Sequence, residues 1–314
     1  MKGPLFYAKI LLFGEYGIIK DSKGLSIPYN IFNGALKMVG SQNFSPKQKE
    51  SNLSLKRFAA YLRGLEQQNP DFAKFDLDSL ETDIANGMYF DSSIPQGYGV
   101  GSSGALVAAI YDKYAFNKIT VLENLTREKL MKLKRIFGEM ESFFHGQSSG
   151  LDPLNSYLSV PILINSKDNI EAAGIPSQTK NGKGAVFLMD SGSVGETAPM
   201  IHIFMENMKN EGFRKMLKEK FVRHTDACVE DFLKGDLNSL FGNIKELSHT
   251  VLDNFKPMIP KKFHKIWKRG IETNAYYLKL CGSGGGGYIL GFTEDLEKAK
   301  KALKGHRLEV VYNF

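Results

Sequence analysis

The sequence predicts an α+β chain of two domains, and three observations carry that expectation. Segments with strand spacing and segments with helical spacing alternate along the chain, but without the regular repeat of a doubly wound sheet. A length of 314 residues leaves room for two domains of roughly 100–200 residues each. The stretch 161–183 turns polar and ends among Gly and Lys, which predicts a boundary between an N-terminal domain, 1–183, and a C-terminal domain, 184–314.

Taken in order, Leu5–Phe13 and Gly17–Lys20 read as strands about an interruption at Gly14-Glu15. Residues 40–53 read as an exposed loop. Leu55–Gln67 places Leu55, Phe58, Ala59, Leu62 and Leu65 on one helical face and stops before Asn69-Pro70. Glu81–Asp91 reads as a strand pair turning at Asn86-Gly87. A Gly-rich segment, 97–104, leads into a buried helix over Ala105–Phe116, and Thr126–His145 is a long amphipathic helix with Leu130, Leu133, Phe137, Met140 and Phe144 inward. Beyond the boundary, Ala185–Met189 is a strand, Met200–Gly235 and Leu237–Phe255 are helical, and Phe263–Lys279 is a further helix. Tyr288–Phe292 is a strand, Leu296–Leu303 a helix and Arg307–Tyr312 the last strand.

Composition removes several classes of function. With 42% hydrophobic and 24% charged residues, usage is that of an ordinary globular chain, not a disordered or fibrous one. No apolar run reaches the ~18 residues of a membrane span. Lys9 and Glu15 cut the apolar N-terminal stretch, so neither a leader nor an anchor is expected. Two cysteines, Cys228 and Cys281, are too few for a disulfide framework, which predicts a cytoplasmic setting. The net charge of +7 favours anionic partners such as nucleotides or phosphorylated metabolites. A non-catalytic RNA-binding α+β module is the alternative from another class, resting on basic residues around Trp267. The spacing of Phe263, Trp267 and Ile271 more simply marks a core helix.

Glycine is over-represented at 31 residues against an ordinary usage of about 7%, and two windows hold nine of them. In Pro95-Gln96-Gly97-Tyr98-Gly99-Val100-Gly101-Ser102-Ser103-Gly104 the glycines bring backbone N–H groups ahead of a helix start, which suits a phosphate. The plain alternative is a turn with a serine cap. Neither a P-loop nor Rossmann spacing is present. The other window, Cys281 to Tyr288, has five glycines in six positions, and reads as a loose turn or as bare backbone crossed by a ligand.

Three charges complete the picture. Lys9 interrupts an apolar strand and needs a carboxylate, a phosphate or an edge position. Glu141 lies at the margin of its helix's apolar stripe and in the last turn, where the dipole disfavours a carboxylate, so a metal or a lysine is expected to compensate it. Asp152 follows a Ser-Gly loop and precedes Pro153. That predicts a turn position, where it could serve as a general base or, taken singly, as a turn residue only.

Together these windows resemble the GHMP kinases. The first signature of that superfamily matches Lys9 followed by Gly14-Glu15-Tyr16, the second matches Pro95 to Gly104 with Val100 for Leu and Gly104 for Ala, and the third matches Gly282 to Gly287 with Ser283 for Ala. Within the superfamily, His145-Gly146-Gln147-Ser148-Ser149-Gly150-Leu151-Asp152-Pro153, with Glu141 eleven residues before Asp152, looks like the mevalonate kinases. The departures are Phe6-Tyr7-Ala8 before Lys9 in place of Pro-Gly, Ser148 where proline is common, and Tyr16 in place of histidine, as in phosphomevalonate kinases.

The resemblance implies an N-terminal domain with a left-handed βαβ crossover, a ferredoxin-like C-terminal domain and an active site between them. It implies ATP as phosphoryl donor with Mg2+. Gly97, Gly99, Gly101, Ser102, Ser103 and Gly104 would surround the ATP phosphates, and Ser103 and Glu141 would hold Mg2+. Asp152 would be the catalytic base with Lys9 beside it, and Glu15, Tyr16, Thr197, Gly282 and Ser283 would line the acceptor. The implied reaction is phosphorylation of the primary hydroxyl of mevalonate to mevalonate 5-phosphate, with phosphomevalonate kinase or another GHMP kinase as the alternative. A small-molecule substrate is expected, with no nucleic acid or membrane partner, and a homodimer as is frequent in the family.

Overall fold

Two units make up the fold in the computed structural model, which describes residues 4–39, 44–120, 125–179 and 182–314. One gathers Met1–Lys9, Pro28–Pro95 and Gly101–Val160, and the other gathers Ile10–Ile27, Gln96–Val100 and Pro161–Phe314. The strands β1 (Phe6–Phe13) and β2 (Gly24–Met38) are each divided between the units by these bounds.

In the first unit, β2 pairs antiparallel with β3 (Met88–Ser92), from Gly34 opposite Ser92 to Met38 opposite Met88. Helix α1 (Pro46–Gln68) packs on β3 and buries Leu55, Phe58, Ala59 and Leu62. Its start is a reciprocal cap between Ser45 and Gln48, with Pro46 at the first helical position, where no N–H is missed. After α2 (Leu77–Ala85) come α3 (Ser102–Tyr114), α4 (Arg127–His145) and α5 (Leu151–Leu158), which pack on one another. The α4 stripe of Leu130, Leu133, Phe137 and Met140 is buried as its spacing predicts, Phe144 in the last turn is only half-buried, and Thr126 caps the helix by accepting from the Lys129 N–H at 3.4 Å.

In the second unit, Gly24–Ser26 of β2 pair with β4 (Ile162–Ser166), which pairs with β5 (Asn169–Ala172). The rest runs β6 (Ala185–Asp190), α6 (Thr197–Asn207), α7 (Glu211–Met216), a π-helical stretch Leu217–Val222, α8 (Arg223–Lys234), α9 (Leu237–Asn254), α10 (His264–Thr273), β7 (Tyr277–Leu280), β8 (Tyr288–Thr293), α11 (Leu296–Ala302) and β9 (Leu308–Asn313). The four strands β6 to β9 form an antiparallel sheet in the order β7-β8-β6-β9. Helical segments fall between its first and second strands and between its third and fourth, the split arrangement of a ferredoxin-like domain. Trp267 of α10 is buried, and its indole N–H donates to Ser248 Oγ at 2.9 Å, so α10 is a core helix.

Several elements differ from the sequence reading. Gly17–Lys20 is a turn of 3₁₀ helix, not a strand. Residues 46–53, expected in a loop, open α1; the rest of that expected loop at 40–43 lies outside the described residues. Asn86-Gly87 ends α2 instead of turning a hairpin. Asn86 caps the helix and Gly87 has φ +99°, because a helix end and a tight hairpin ask for the same residues. The polar stretch 161–183 contains the β4–β5 hairpin, and the predicted helix Phe263–Lys279 breaks into α10 and β7. Asp152 sits in the first turn of α5 and not on a turn outside a helix. Among the described residues, no helix is long and apolar enough to cross a membrane.

Candidate active site

The first unit brings Lys9, Asp152, Ser103 and Glu141 into one cluster. Lys9 Nζ meets Asp152 Oδ1 at 2.9 Å, with the lysine side chain 6% exposed and the aspartate side chain 36% exposed. Asp152 occupies the first turn of α5, where the helix dipole favours negative charge. Gly101 lies over this pair: its φ is +82°, and a Cβ there would come 3.0 Å from Lys9 Cγ. A Cβ on Gly104 would stand 2.7 Å from the backbone of Asp152 and Pro153, so the departure from the usual alanine matches a close approach of α3 to α5.

Helix α3 starts at Gly101 with no side-chain cap, leaving its first N–H groups, beginning at Ser102, to another acceptor. Ser103 Oγ donates to Glu141 Oε1 at 2.8 Å and lies 3.0 Å from His145 Nε2. Ser148 Oγ donates to the second oxygen, Glu141 Oε2. Glu141 is 3% exposed. Burial first, then repulsion from Asp152, push its carboxyl up to about 7, against the bonds from Ser148 and Ser103 and the charge of Lys9. In the chain by itself, two hydroxyls and a lysine that is bonded elsewhere supply only part of the compensation expected from a metal or a lysine.

The second unit holds the remaining candidates. Tyr16 has φ +58°, and the Gly17 N–H donates to the Glu15 carbonyl, closing a three-residue turn on the tyrosine. Its ring packs on Phe204 at 4.7 Å and Phe255 at 5.9 Å between centroids, and its hydroxyl donates to the Ser283 carbonyl at 2.7 Å. Burial, and next the Glu15 carboxylate, push this phenol above its usual range. Ser283 Oγ in turn lies 3.3 Å from Thr197 Oγ1. Glu15 Oε1 is paired with Lys279 Nζ, which also donates to the Leu280 carbonyl at 3.0 Å.

The glycines of the third signature pack closely against neighbouring loops, so this segment is not a loose turn. Gly287 donates to the Ser193 carbonyl and accepts from the Ser191 N–H, and a Cβ there would meet Tyr98 Cα at 2.6 Å. Gly97 accepts from the Gly195 N–H at 2.9 Å, and a Cβ on Gly99 would meet the Cys281 carbonyl oxygen at 2.6 Å, next to Gly282. Three loop backbones touch here, and only residues without side chains permit it.

Two contacts were not read from the sequence. Lys279 interrupts an apolar strand as Lys9 does, but the helical spacing of Phe263–Lys279 masks β7 in the sequence and hides that signal. Ser148 on Glu141 had no comparable signal, because a loop serine is ordinary.

The GHMP kinases N terminal domain family matches residues 61–159. Among solved structures, the chain is similar to L. major mevalonate kinase in complex with R-mevalonate, at 16% identity and a TM-score of 0.64 over 100% of this chain and 99% of that one. It is similar to Methanococcus jannaschii mevalonate kinase at 16% identity and 0.60 over 99% and 98%. It is also similar to Streptococcus pneumoniae phosphomevalonate kinase in complex with phosphomevalonate and AMPPNP, at 12% identity and 0.63 over 98% and 99%. No curated protein matches the sequence. Residues 61–159 thus match the N-terminal domain of the GHMP kinases, and the chain shares the fold of these solved kinases over almost its whole length.

Proposed function

We propose that this chain transfers the γ-phosphoryl group of ATP to the primary hydroxyl of mevalonate. The observation that carries the reading is the Lys9–Asp152 pair, a carboxylate held on one oxygen by a buried lysine yet still one-third exposed. Asp152 takes the hydroxyl proton as the acceptor oxygen bonds to the γ-phosphorus and the bond to the β,γ-bridging oxygen breaks. ADP departs with the bridging oxygen, and the proton on Asp152 passes to solvent. Lys9 fixes the carboxylate and balances its charge. The uncapped N–H groups at the start of α3 suit phosphate oxygens.

Glu141 and Ser103 would hold Mg2+, and the donor set fits: one carboxylate and one hydroxyl, both hard oxygens, with other positions left to phosphates and water. The raised pKa of Glu141 marks a buried charge short of positive compensation. When bound, the ion supplies that compensation and neutralises phosphate charge.

Charge favours mevalonate over its 5-phosphate. The phosphorylated acceptor brings about −1.5 to −2 more charge, and Lys9 and Lys279 are each already paired with a carboxylate. Tyr16 has its proton committed to Ser283, so it would meet an acceptor through its oxygen lone pair, with Thr197 and Ser283 supplying hydroxyls. The L. major enzyme was solved with R-mevalonate and the S. pneumoniae enzyme with phosphomevalonate and AMPPNP, and their TM-scores differ too little to choose. Parallel assays with MgATP and each acceptor at equal concentration test the choice. A higher kcat/KM for mevalonate supports it, and a higher value for phosphomevalonate overturns it.

A further inference from the structure

Glu141 accepts one hydroxyl on each oxygen, and the two hydroxyls are held very differently. Ser103 Oγ donates to Oε1 and has a second possible acceptor for its proton, His145 Nε2 at 3.0 Å. Ser148 is pinned on several sides. Its N–H donates to Ser142 Oγ at 3.2 Å, and Ser142 Oγ donates to the Gly138 carbonyl at 2.7 Å, tying the loop back to α4. The Gly150 N–H donates into Ser148 Oγ at 3.1 Å, which leaves the serine proton directed at Glu141 Oε2.

We propose that Ser148 is a positioning residue that fixes the orientation of Glu141 for metal binding, a reading that rests on the assignment of Glu141 and Ser103 to Mg2+. Ser103 Oγ keeps lone pairs for a cation whether its proton stays on Glu141 Oε1 or turns to His145 Nε2. Its bond to Glu141 is therefore the less fixed of the two. The Ser148 bond lies on the other oxygen and need not change. It then remains as the hydroxyl contact that keeps a buried carboxylate from rotating about its last torsion, and outer partners of this kind set the aim of a ligand. Proline, common at this place in the resembling kinases, has neither a hydroxyl nor an N–H. This chain holds its glutamate by a contact that proline lacks.

The test compares Ser148→Ala, Ser148→Thr and Glu141→Gln by Mg2+-dependent ATP binding in a calorimeter, Mn2+ binding by electron paramagnetic resonance, and thermal unfolding. Ser148→Ala is expected to raise the Mg2+ concentration for half-maximal ATP binding about 10- to 100-fold, while Ser148→Thr, which keeps the hydroxyl, stays within about threefold of the parent. An unchanged Mg2+ requirement in Ser148→Ala, with a large shift in Glu141→Gln, overturns the role of Ser148 alone. An equal shift in the Ala and Thr variants also overturns it, since the hydroxyl would then not be the operative group. No shift in Glu141→Gln overturns the assignment of Glu141 to the metal, on which the proposal rests.

Discussion

Lys9 in β1 and Lys279 in β7 each interrupt an apolar strand, and each is buried against a carboxylate. The pairs differ in what the carboxylate faces. Lys279 and Glu15 have side-chain exposures of 3% and 5%, while Asp152, opposite Lys9, stands at 36%. A sealed pair adds little net stability over an apolar one, yet breaking it leaves a buried charge. An open carboxylate beside a buried lysine can meet a molecule from solution. The lysine in the strand reports burial in both cases; the exposure of its partner separates a structural pair from one suited to chemistry.

The largest effect should come from the open pair. Asp152→Asn keeps the shape and removes the proton acceptor, so turnover should fall by roughly 10²–10⁴-fold with ATP affinity nearly intact. Single-turnover kinetics with a nucleotide-binding titration check both halves. Near-parental turnover would dissolve the contrast between the pairs.

The sealed pair should answer in stability instead. Lys279→Met strands the Glu15 carboxylate and should cost about 3–5 kcal/mol, most of it recovered when Glu15→Gln is added. Lys9→Met should cost less, because Asp152 keeps part of its hydration. Urea denaturation of the three variants beside the parent measures this, and an equal loss for the two lysines would show that exposure does not separate them.

Glu141 is an intermediate case, buried like Glu15 but bonded by hydroxyls instead of a lysine. Its carboxyl is raised to about 7 by burial and then by Asp152. The folded state therefore binds this proton more tightly than the unfolded state, whose carboxyl titrates near the ordinary Glu value. Stability contributed by the protonated form is present at low pH and is lost as pH rises from about 4.5 to about 7, with a slope of at most ~1.4 kcal/mol per pH unit. Thermal melts of the metal-free protein should show that decline and melts of Glu141→Gln should lack it, while MgATP should flatten it. Identical pH profiles in the two proteins would remove Glu141 as its source.

The sequence made some of these groups legible and hid others for physical reasons. A charge inside an apolar strand is conspicuous, so Lys9 could be picked out, and the apolar period of α4 placed Glu141 at the edge of a buried face. The fifteen residues of β2 went unread because Pro28, Asn30, Asn33 and Gly34 break up the alternation that marks a strand. The Ser103–Glu141 bond joins residues 38 apart, which no local spacing reveals. The late glycines are conspicuous, but their neighbours are the loop backbones at Tyr98 and Ser193, and packing between distant loops leaves only a composition signal.

The smallest effect should come from Tyr16, which joins the turn beside the sealed pair to the Ser283 loop. Tyr16→Phe keeps the ring contacts with Phe204 and Phe255 and removes only the donor to the Ser283 carbonyl. The loss of one neutral hydrogen bond should lower stability by about 0.5–1.5 kcal/mol. If the hydroxyl serves mainly to hold Ser283 in place beside Thr197, the acceptor KM should rise only a few-fold, on the order of that same free energy, and kcat should hold. If the tyrosine oxygen itself accepts a bond from the acceptor alcohol, KM should rise more than the loss of stability implies, and the variant should discriminate less between mevalonate and its 5-phosphate. Chemical denaturation beside steady-state kinetics on both acceptors separates the two. Unchanged stability with a large KM shift would move Tyr16 from loop support to direct acceptor contact.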